Sequence, residues 1–404
     1  MHARGKFCIA VASLLMAVPV SAESFIDKYL VDPEDGQLDV SRYLSEVPLG
    51  FLPVPALITE PAVGTGFGLG AVFFHESDEQ KKIRLETLRN THSAILPTNI
   101  SFLGLAATVN GTKAAAVGHL GFWKQDQVRY KGFLLYPDAN LDFYSLGELE
   151  LPNDRGVELS LTGPVVVQEL KMRVAPKSNF FWGARQVYRQ VDLSLTNASG
   201  FAPFNSPQLN QRLETILGTT ADIATSGLGF LVEYDSRDNP FNPEKGYLLS
   251  TRYQWFDESI GSDVEYQDHN LTTLGYWELS QQFLLGLRFQ YDSVEARDGE
   301  LLPPYVLPFV DLRGIPKVRY QGRRVAVVEA ELDWRLTPRW KVSLFSGSGH
   351  TADHFNELDS GDASSTVGTG FRYLIARRYG FSMGLDVARG PEETAFYIQA
   401  GSTW

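Results

Sequence analysis

Residues 322–336 read GRRVAVVEAELDWRL. Val328, Ala330, Leu332, Trp334 and Leu336 share one side of an extended chain, and Val327, Glu329, Glu331, Asp333 and Arg335 share the other. A period of two marks a strand. Residues 281–294 repeat it, with Phe283, Leu285, Leu287, Phe289 and Tyr291 opposed to Gly286, Arg288, Gln290 and Asp292. In 378–389, Phe381, Met383, Leu385 and Val387 oppose Ser382, Gly384, Asp386 and Ala388. An ordinary half-buried sheet also alternates. Here the polar face carries charge in segment after segment, as it does where one face meets hydrocarbon and the other a wet lumen.

The composition agrees. Aromatic residues make up 12% of the chain, glycines number 36, and mean hydropathy is -0.14. That value excludes a bundle of transmembrane helices, each of which needs about 20 apolar residues. Beyond the N-terminal segment almost no stretch has the 3.6-residue period of a helix. These features imply an all-β protein: a 16-stranded antiparallel transmembrane β-barrel with a short periplasmic N-terminal leader.

The first residues read as a secretory signal. Arg4 and Lys6 supply the positive start, residues 7–20 are apolar apart from Ser13 and Pro19, and Val20-Ser21-Ala22 is a small-residue cleavage site. The expected division is residues 1–22 signal peptide, 23–60 periplasmic leader and 61–404 barrel. Cys8, the sole cysteine, lies in the signal, so the mature chain has no disulfide. Removing Arg4 and Lys6 moves the formal charge from -12 to -14, which argues against nucleic acid as a partner.

The expected strands are 62–74, 97–109, 112–123, 127–136, 139–147, 155–174, 179–196, 222–236, 244–257, 265–279, 281–294, 322–336, 339–349, 364–376, 378–389 and 393–404. Pro48, Pro53, Pro55 and Pro61 keep the leader extended outside the sheet. Short turns at Asn110-Gly111, Pro137-Asp138, Lys177, Ser280, Thr337-Pro338 and Arg377 then fall on the periplasmic side. Long loops 75–96, 197–221, 295–321 and 350–363 fall outside. The last strand places Phe396, Ile398 and Trp404 on one face and ends the chain on an aromatic, which fits an interfacial girdle and a C-terminal sorting signal.

Four segments carry a family resemblance over residues 61–404. They are Phe143-Tyr144-Ser145-Leu146-Gly147, residues 234–240 with Pro243 and Gly246, Leu312-Arg313-Gly314-Ile315, and Gly368-Thr369-Gly370-Phe371-Arg372-Tyr373. In order and topological position they resemble the BamA/TamA superfamily, also called the bacterial surface-antigen family. The resemblance implies a role in outer-membrane biogenesis, protein or lipid transport, or membrane integrity. It also implies lipid and lipopolysaccharide surroundings, the assembly machinery as a partner during biogenesis, and a monomer. A 38-residue leader is too short for even one periplasmic POTRA module. The family's Phe-x-Asp-x-Gly strand motif reads Phe345-Ser346-Gly347-Ser348-Gly349 here, with Gly347 where the aspartate belongs.

The resemblance implies that Arg313 folds into the lumen and pairs with a wall carboxylate. A guanidinium suits this because it binds bidentately and stays charged. Asp386 is the first-choice partner, shared with Arg372, with Glu329, Glu331 and Asp333 as alternatives, in a site wet enough that the pair is not deeply buried. Gly64, Gly66, Gly68 and Gly70 share a face of the expected first strand. They suggest a labile seam with the last strand, or room for a folded-in loop. Asp235, Asp238 and Glu244 lack metal-loop spacing, so no metal is expected, nor any cofactor. Catalysis finds no Gly-x-Ser-x-Gly or His-Glu-x-x-His. Ser348 and His350 are too close in sequence to form a defined dyad, and the other histidines look scattered. A non-enzymatic barrel is expected, with a passive or structural pore as the alternative and a lipid-modifying barrel as the next.

Overall fold

The computed structural model describes residues 25–46, 51–59, 61–76, 82, 99–146, 149–151, 156–196, 203–219, 222–297, 300–354 and 362–404. The expected signal segment, residues 1–22, lies outside them. Seventeen strand segments form one antiparallel sheet. Two of them, Val157–Thr162 and Val165–Arg173, are consecutive and have the same neighbours, so they act as one interrupted strand. The sheet therefore has sixteen positions: β1 Leu52–Ile58, β2 Gly66–His75, β3 Asn99–Thr108, β4 Lys113–Trp123, β5 Val128–Phe143, the two-piece β6, β7 Phe180–Leu195 and β8 Asp222–Asp235. Then come β9 Gly246–Phe256, β10 Tyr266–Glu278, β11 Phe283–Ala296, β12 Arg324–Arg335, β13 Trp340–Ala352, β14 Asp362–Ala376, β15 Phe381–Arg389 and β16 Thr394–Ala400.

Three expectations about these strands need correction. The proline-rich segment 52–58 is not leader. It pairs with β2 from Leu52↔Val72 to Ile58↔Gly66, and is the first strand. Pro137-Asp138 is no turn, because residues 127–136 and 139–147 merge into β5 up to Phe143. Pro137 is tolerated in mid-strand because its missing N–H faces the interruption of β6 at Gly163-Pro164, where Gly163 N donates to Pro137 O instead. Adding one strand and merging two keeps the number even, but it inverts the early connections. β2 now ends and β3 begins on the leader face, and Asn110-Gly111 lies on the far face, where β7 and β11 end.

Alternation sorts the side chains as the sequence implies. Leu228, Phe230 and Val232, or Val328 and Trp334, are exposed outward, while Glu329 and Asp386 are buried inward. A row of aromatics rims the outside at the leader end, including the pairs Trp123–Tyr130, Tyr247–Trp277, Phe283–Trp334 and Trp340–Tyr373. At the far mouth a helix, α3 (Pro207–Thr219), lies where only a loop is expected. Its Leu209, Leu213 and Ile216 repeat at helical spacing and pack on Phe143, Leu159 and Leu193.

The leader is docked. It contains two short helices, α1 (Phe25–Tyr29) and α2 (Ser41–Glu46). Between them Asp32, Asp35 and Asp39 enclose the Arg339 guanidinium, with Nε to Asp35 at 2.6 Å and Nη1 to Asp39 at 2.6 Å. Val40 N donates to Ile375 O, and Val40 and Leu44 pack with Leu52, Tyr379 and Phe381. The clamp thus holds the base of β1 against the turns that precede β13 and β15.

The hydrogen bond from Arg339 holds the Asp35 carboxyl below its ordinary value. A depressed folded pKa contributes stability above the unfolded value, near 3.9, and loses it as pH falls through the folded value. Limited trypsin cleavage at Lys28 and Arg42 should therefore be slow at pH 7. Short exposure below about pH 4 should speed it, and Arg339→Gln should speed it at every pH. Equal cleavage of the variant and the parent at pH 7 would refute the clamp.

Candidate functional site: a lumen closed from both ends

Loop 297–323 leaves β11 at the far face and turns into the lumen. Its path is set by glycines on the inner face of β13. A Cβ at Gly347 would stand 2.6 Å from Leu312 Cδ2, and one at Gly349 would strike Val310. Gly347, where the resemblance leads one to expect aspartate, is therefore the slot that receives Leu312. Gly314 has φ +92°, and a Cβ there would meet Gly390 N at 3.0 Å, so the motif needs glycine twice over. Its amide donates to Tyr397 Oη at 2.9 Å. Leu312 and Ile315 are buried with Val310, Val325 and Val327.

These contacts aim Arg313 at the wall of β12 and β15. Nη1 donates to Asp386 at 2.8 Å, Nη2 to Glu329 at 2.7 Å, and Nε to the same Glu329 oxygen at 3.1 Å. Glu331 lies 2.8 Å from Nη2. The guanidinium sits over the Phe345 ring, 3.4 Å from its centroid, a cation–π contact on the residue that opens the altered strand motif. Arg372 grips Asp386 through both Nη atoms. Asp333 instead pairs with Lys341 at 3.2 Å. Four cations, Arg288, Arg313, Lys341 and Arg372, thus face four carboxylates, Glu329, Glu331, Asp333 and Asp386.

The geometry departs from expectation in two ways. The site is dry: Glu329 is 1% exposed, Asp386 0% and Arg313 9%. Trp404 does not sit in the outer girdle, because β16 ends at Ala400 and Gly401 turns the tail inward with φ +87°. The Trp404 ring packs near Gly286 and Tyr276, and its Nε1 donates to Glu329 at 2.7 Å. Thr403 accepts from Arg372 at 3.0 Å. The loop from the far face and the tail from the leader face therefore meet on Glu329, which Arg288 also reaches at 3.2 Å. Of the other tail residues, Phe396 is exposed outward, and Ile398 lines an apolar surface groove with Trp340, Phe371 and Leu385.

Gly66, Gly68 and Gly70 lie on β2, one strand in from the edge, against β1 and β3; Gly64 is in the preceding turn. The edges are β1 and β16, which run side by side. Pro53 and Pro55 have the same strand parity as Thr59, whose hydroxyl accepts from Phe396 N at 2.8 Å and donates to Phe396 O. Val109 N donates to Thr65 O, so the odd residues of β2 face β3 and the even ones face β1; with Val54 opposite Gly70, the odd-numbered Pro53 and Pro55 turn their donorless nitrogens toward β16. Ser348 and His350 form no dyad, as Ser348 Oγ donates to Ser364 O. His75 and His119 are not scattered: both lie on Ser101 Oγ, at 3.0 and 2.9 Å.

Residues 122–307 match the Omp85 superfamily domain. The fold is similar to CdiB from Escherichia coli, with TM-score 0.55 and 10% identity over 86% of this chain and 62% of that one. CdiB from Acinetobacter baumannii gives 0.50 and 10% over 86% and 59%. BamA from Haemophilus ducreyi lacking POTRA domains 1–3 gives 0.49 and 12% over 86% and 69%. The chain thus spans less than two thirds of the CdiB chains it matches. No curated protein matches it. The fold is that of an Omp85-type barrel.

Removing Arg313 strands buried carboxylates, a change that costs about 3–5 kcal/mol where a buried pair is broken. Arg313→Ala should undock the loop, raise single-channel conductance in planar bilayers and expose residues 297–323 to external protease. Arg313→Lys should restore docking only in part, lacking the planar fork. Conductance and protection unchanged in Arg313→Ala would refute the internal plug.

Proposed function

We propose that the chain works at its β1–β16 seam, as a barrel for outer-membrane biogenesis or for transport of protein or lipid, exported by cleavage after Ala22. The observation that carries this reading is the β1 edge. An amide without a partner in hydrocarbon costs several kcal/mol, so barrels normally close with a full ladder. Pro53 and Pro55 supply no N–H to such a ladder, and Thr59 joins the edges through its side chain. An edge built this way parts at little cost and offers β16 to an incoming strand or acyl chain. The buried ion network argues against the passive-pore alternative, since it fastens a loop from one face and the tail from the other inside the lumen. Lipid and lipopolysaccharide would be its surroundings, and the assembly machinery its route into the membrane.

Closing the seam tests this. Cysteines replacing Thr59 and Phe396, joined by a short bifunctional reagent, should lower the levels of other outer-membrane components as depletion of the protein does. Reduction of a cleavable linker should restore them. A locked barrel that sustains normal levels would defeat the seam reading.

A second reading, a lipid-modifying barrel, rests on Ser101. The odd-numbered residues of β2 to β4 face outward, as the exposed Phe67, Leu69, Leu103, Leu105 and Val117 do. His75, Ser101 and His119 are in that set, beside the stacked Trp123 and Tyr130 at the girdle. Ester carbonyls of lipids lie at that depth. One imidazole would accept the Ser101 proton as Oγ attacks an ester, then return it to the departing alcohol, before water releases the acyl group. A fluorophosphonate reagent should label Ser101 in the parent and not in His119→Gln. Absence of labelling in the parent would remove this reading.

A further inference from the structure

The lumen walls differ in charge. Around Arg313 four cations meet four carboxylates. Across the lumen, on β5 to β10, the balance fails. Lys131 on β5 is directly opposite Glu169 on β6, which is opposite Arg185 on β7. Glu169 is shared by Arg185 at 3.3 Å and Lys171 at 3.4 Å. Lys171 is bound more closely by Glu233, at 2.7 Å. Arg252 on β9 stands 3.8 Å from Asp268 with no hydrogen bond between them. Lys131 has no carboxylate within 4 Å among the described residues; Glu169 stands opposite it, and Arg185, Lys171 and Arg252 are near enough to repel it.

Donors are left over as well. Arg185 Nε, Arg252 Nε and Gln254 Nε2 are buried without a hydrogen-bond partner. These groups converge because the register sets Lys131, Glu169, Arg185, Gly229, Gln254 and Asp268 in one cross-strand row, with the Gln254 side chain lying over Gly229. Lys131 is exposed although it points into the lumen, and the Arg252 and Asp268 side chains are 23% exposed. Solvent therefore reaches the cluster. Guanidinium and ammonium groups that share too few carboxylates repel one another and leave donors unsatisfied, unless an anion joins them.

We propose that Lys131, Arg185, Arg252 and Gln254 form a binding site for a small soluble oxyanion of the phosphate class. A phosphate offers several acceptor oxygens to a planar guanidinium fork and to an ammonium group. The site is independent of the seam, because it faces water inside the barrel.

Inorganic pyrophosphate is the probe, titrated into the purified full-length protein in detergent at low salt and followed by calorimetry. Saturable binding is expected, weakening as ionic strength rises. Lys131→Gln should raise Kd roughly tenfold, the loss of one charge-assisted hydrogen bond. Since Lys131 has no ion pair to lose, this variant should keep the heat-modifiable gel shift of a folded barrel. Arg252→Gln should weaken binding similarly. Arg324→Gln, whose cation pairs with Glu295 at 2.8 Å outside the cluster, should bind as the parent does. No saturable heat with the parent, or the parent's affinity retained in both Lys131→Gln and Arg252→Gln, would overturn the site.

Discussion

A strand in hydrocarbon must hand each backbone N–H to a neighbour, and much of this barrel follows from where that demand can be met. Fifteen interstrand boundaries meet it with ladders of consecutive partners. At two places proline cannot contribute, and the sheet treats them differently. Pro137 faces the break at Gly163-Pro164, inside the ladder, where the partner strand is already irregular and donates back. Pro53 and Pro55 face the last strand, where nothing compensates along the backbone. One defect is absorbed and the other is concentrated at the closure.

Concentrating weakness at one edge requires that edge to be held from elsewhere, and the leader does this. The Arg339 cage and the packing of Leu44 with Leu52 anchor the base of β1 without any bond to β16. A leader anchored to the turns before β13 and β15 can fix one end of the first strand while its length stays free of a full ladder. Inside the barrel, Glu329 has a comparable joining role: it accepts from the loop arginine, the wall arginine Arg288 and the C-terminal indole. Loop, wall and C-terminus are thereby linked through one buried carboxylate, and loss of any donor leaves charge without solvent.

Alternation made most of the sheet legible, because a period of two depends on neither turns nor partners. From β7 onward the expected and observed strands differ mainly by a few residues at their ends. The errors occurred where a local rule was overridden by a distant partner. Prolines at 53 and 55 read as leader because proline leaves central strands, but an edge with one unladdered side accepts it. That single strand also moves the end of β2, where an external loop 75–96 is expected, to the leader face. Asp386 could be chosen for Arg313 because strand parity places it inward, whereas burial could not be foreseen: it depends on Gly347 and Gly349 admitting Leu312 and Val310. Trp404 followed the alternation only as far as Ala400, and Gly401 was the available signal that the tail turns. His75, Ser101 and His119 are 26 and 18 residues apart along the chain, and only the register of three strands brings them together.

Both halves of the lumen are built from charged residues, yet they solve the electrostatic problem differently. The half around β12 to β15 excludes water and must balance its charges locally, because an unpaired ion there has no other stabilisation. Its four-to-four match and the Phe345 face under Arg313 satisfy that demand. The half around β5 to β10 keeps solvent beside Lys131, and water lets an imbalance persist that dry protein would not tolerate. Exposure, more than residue type, thus decides which cluster serves as a fastener and which remains open to a ligand. A guanidinium such as Arg313, already shared among Glu329, Glu331 and Asp386, has little left to offer an incoming anion. Lys131, which faces the same lumen, still has its ammonium donors to give.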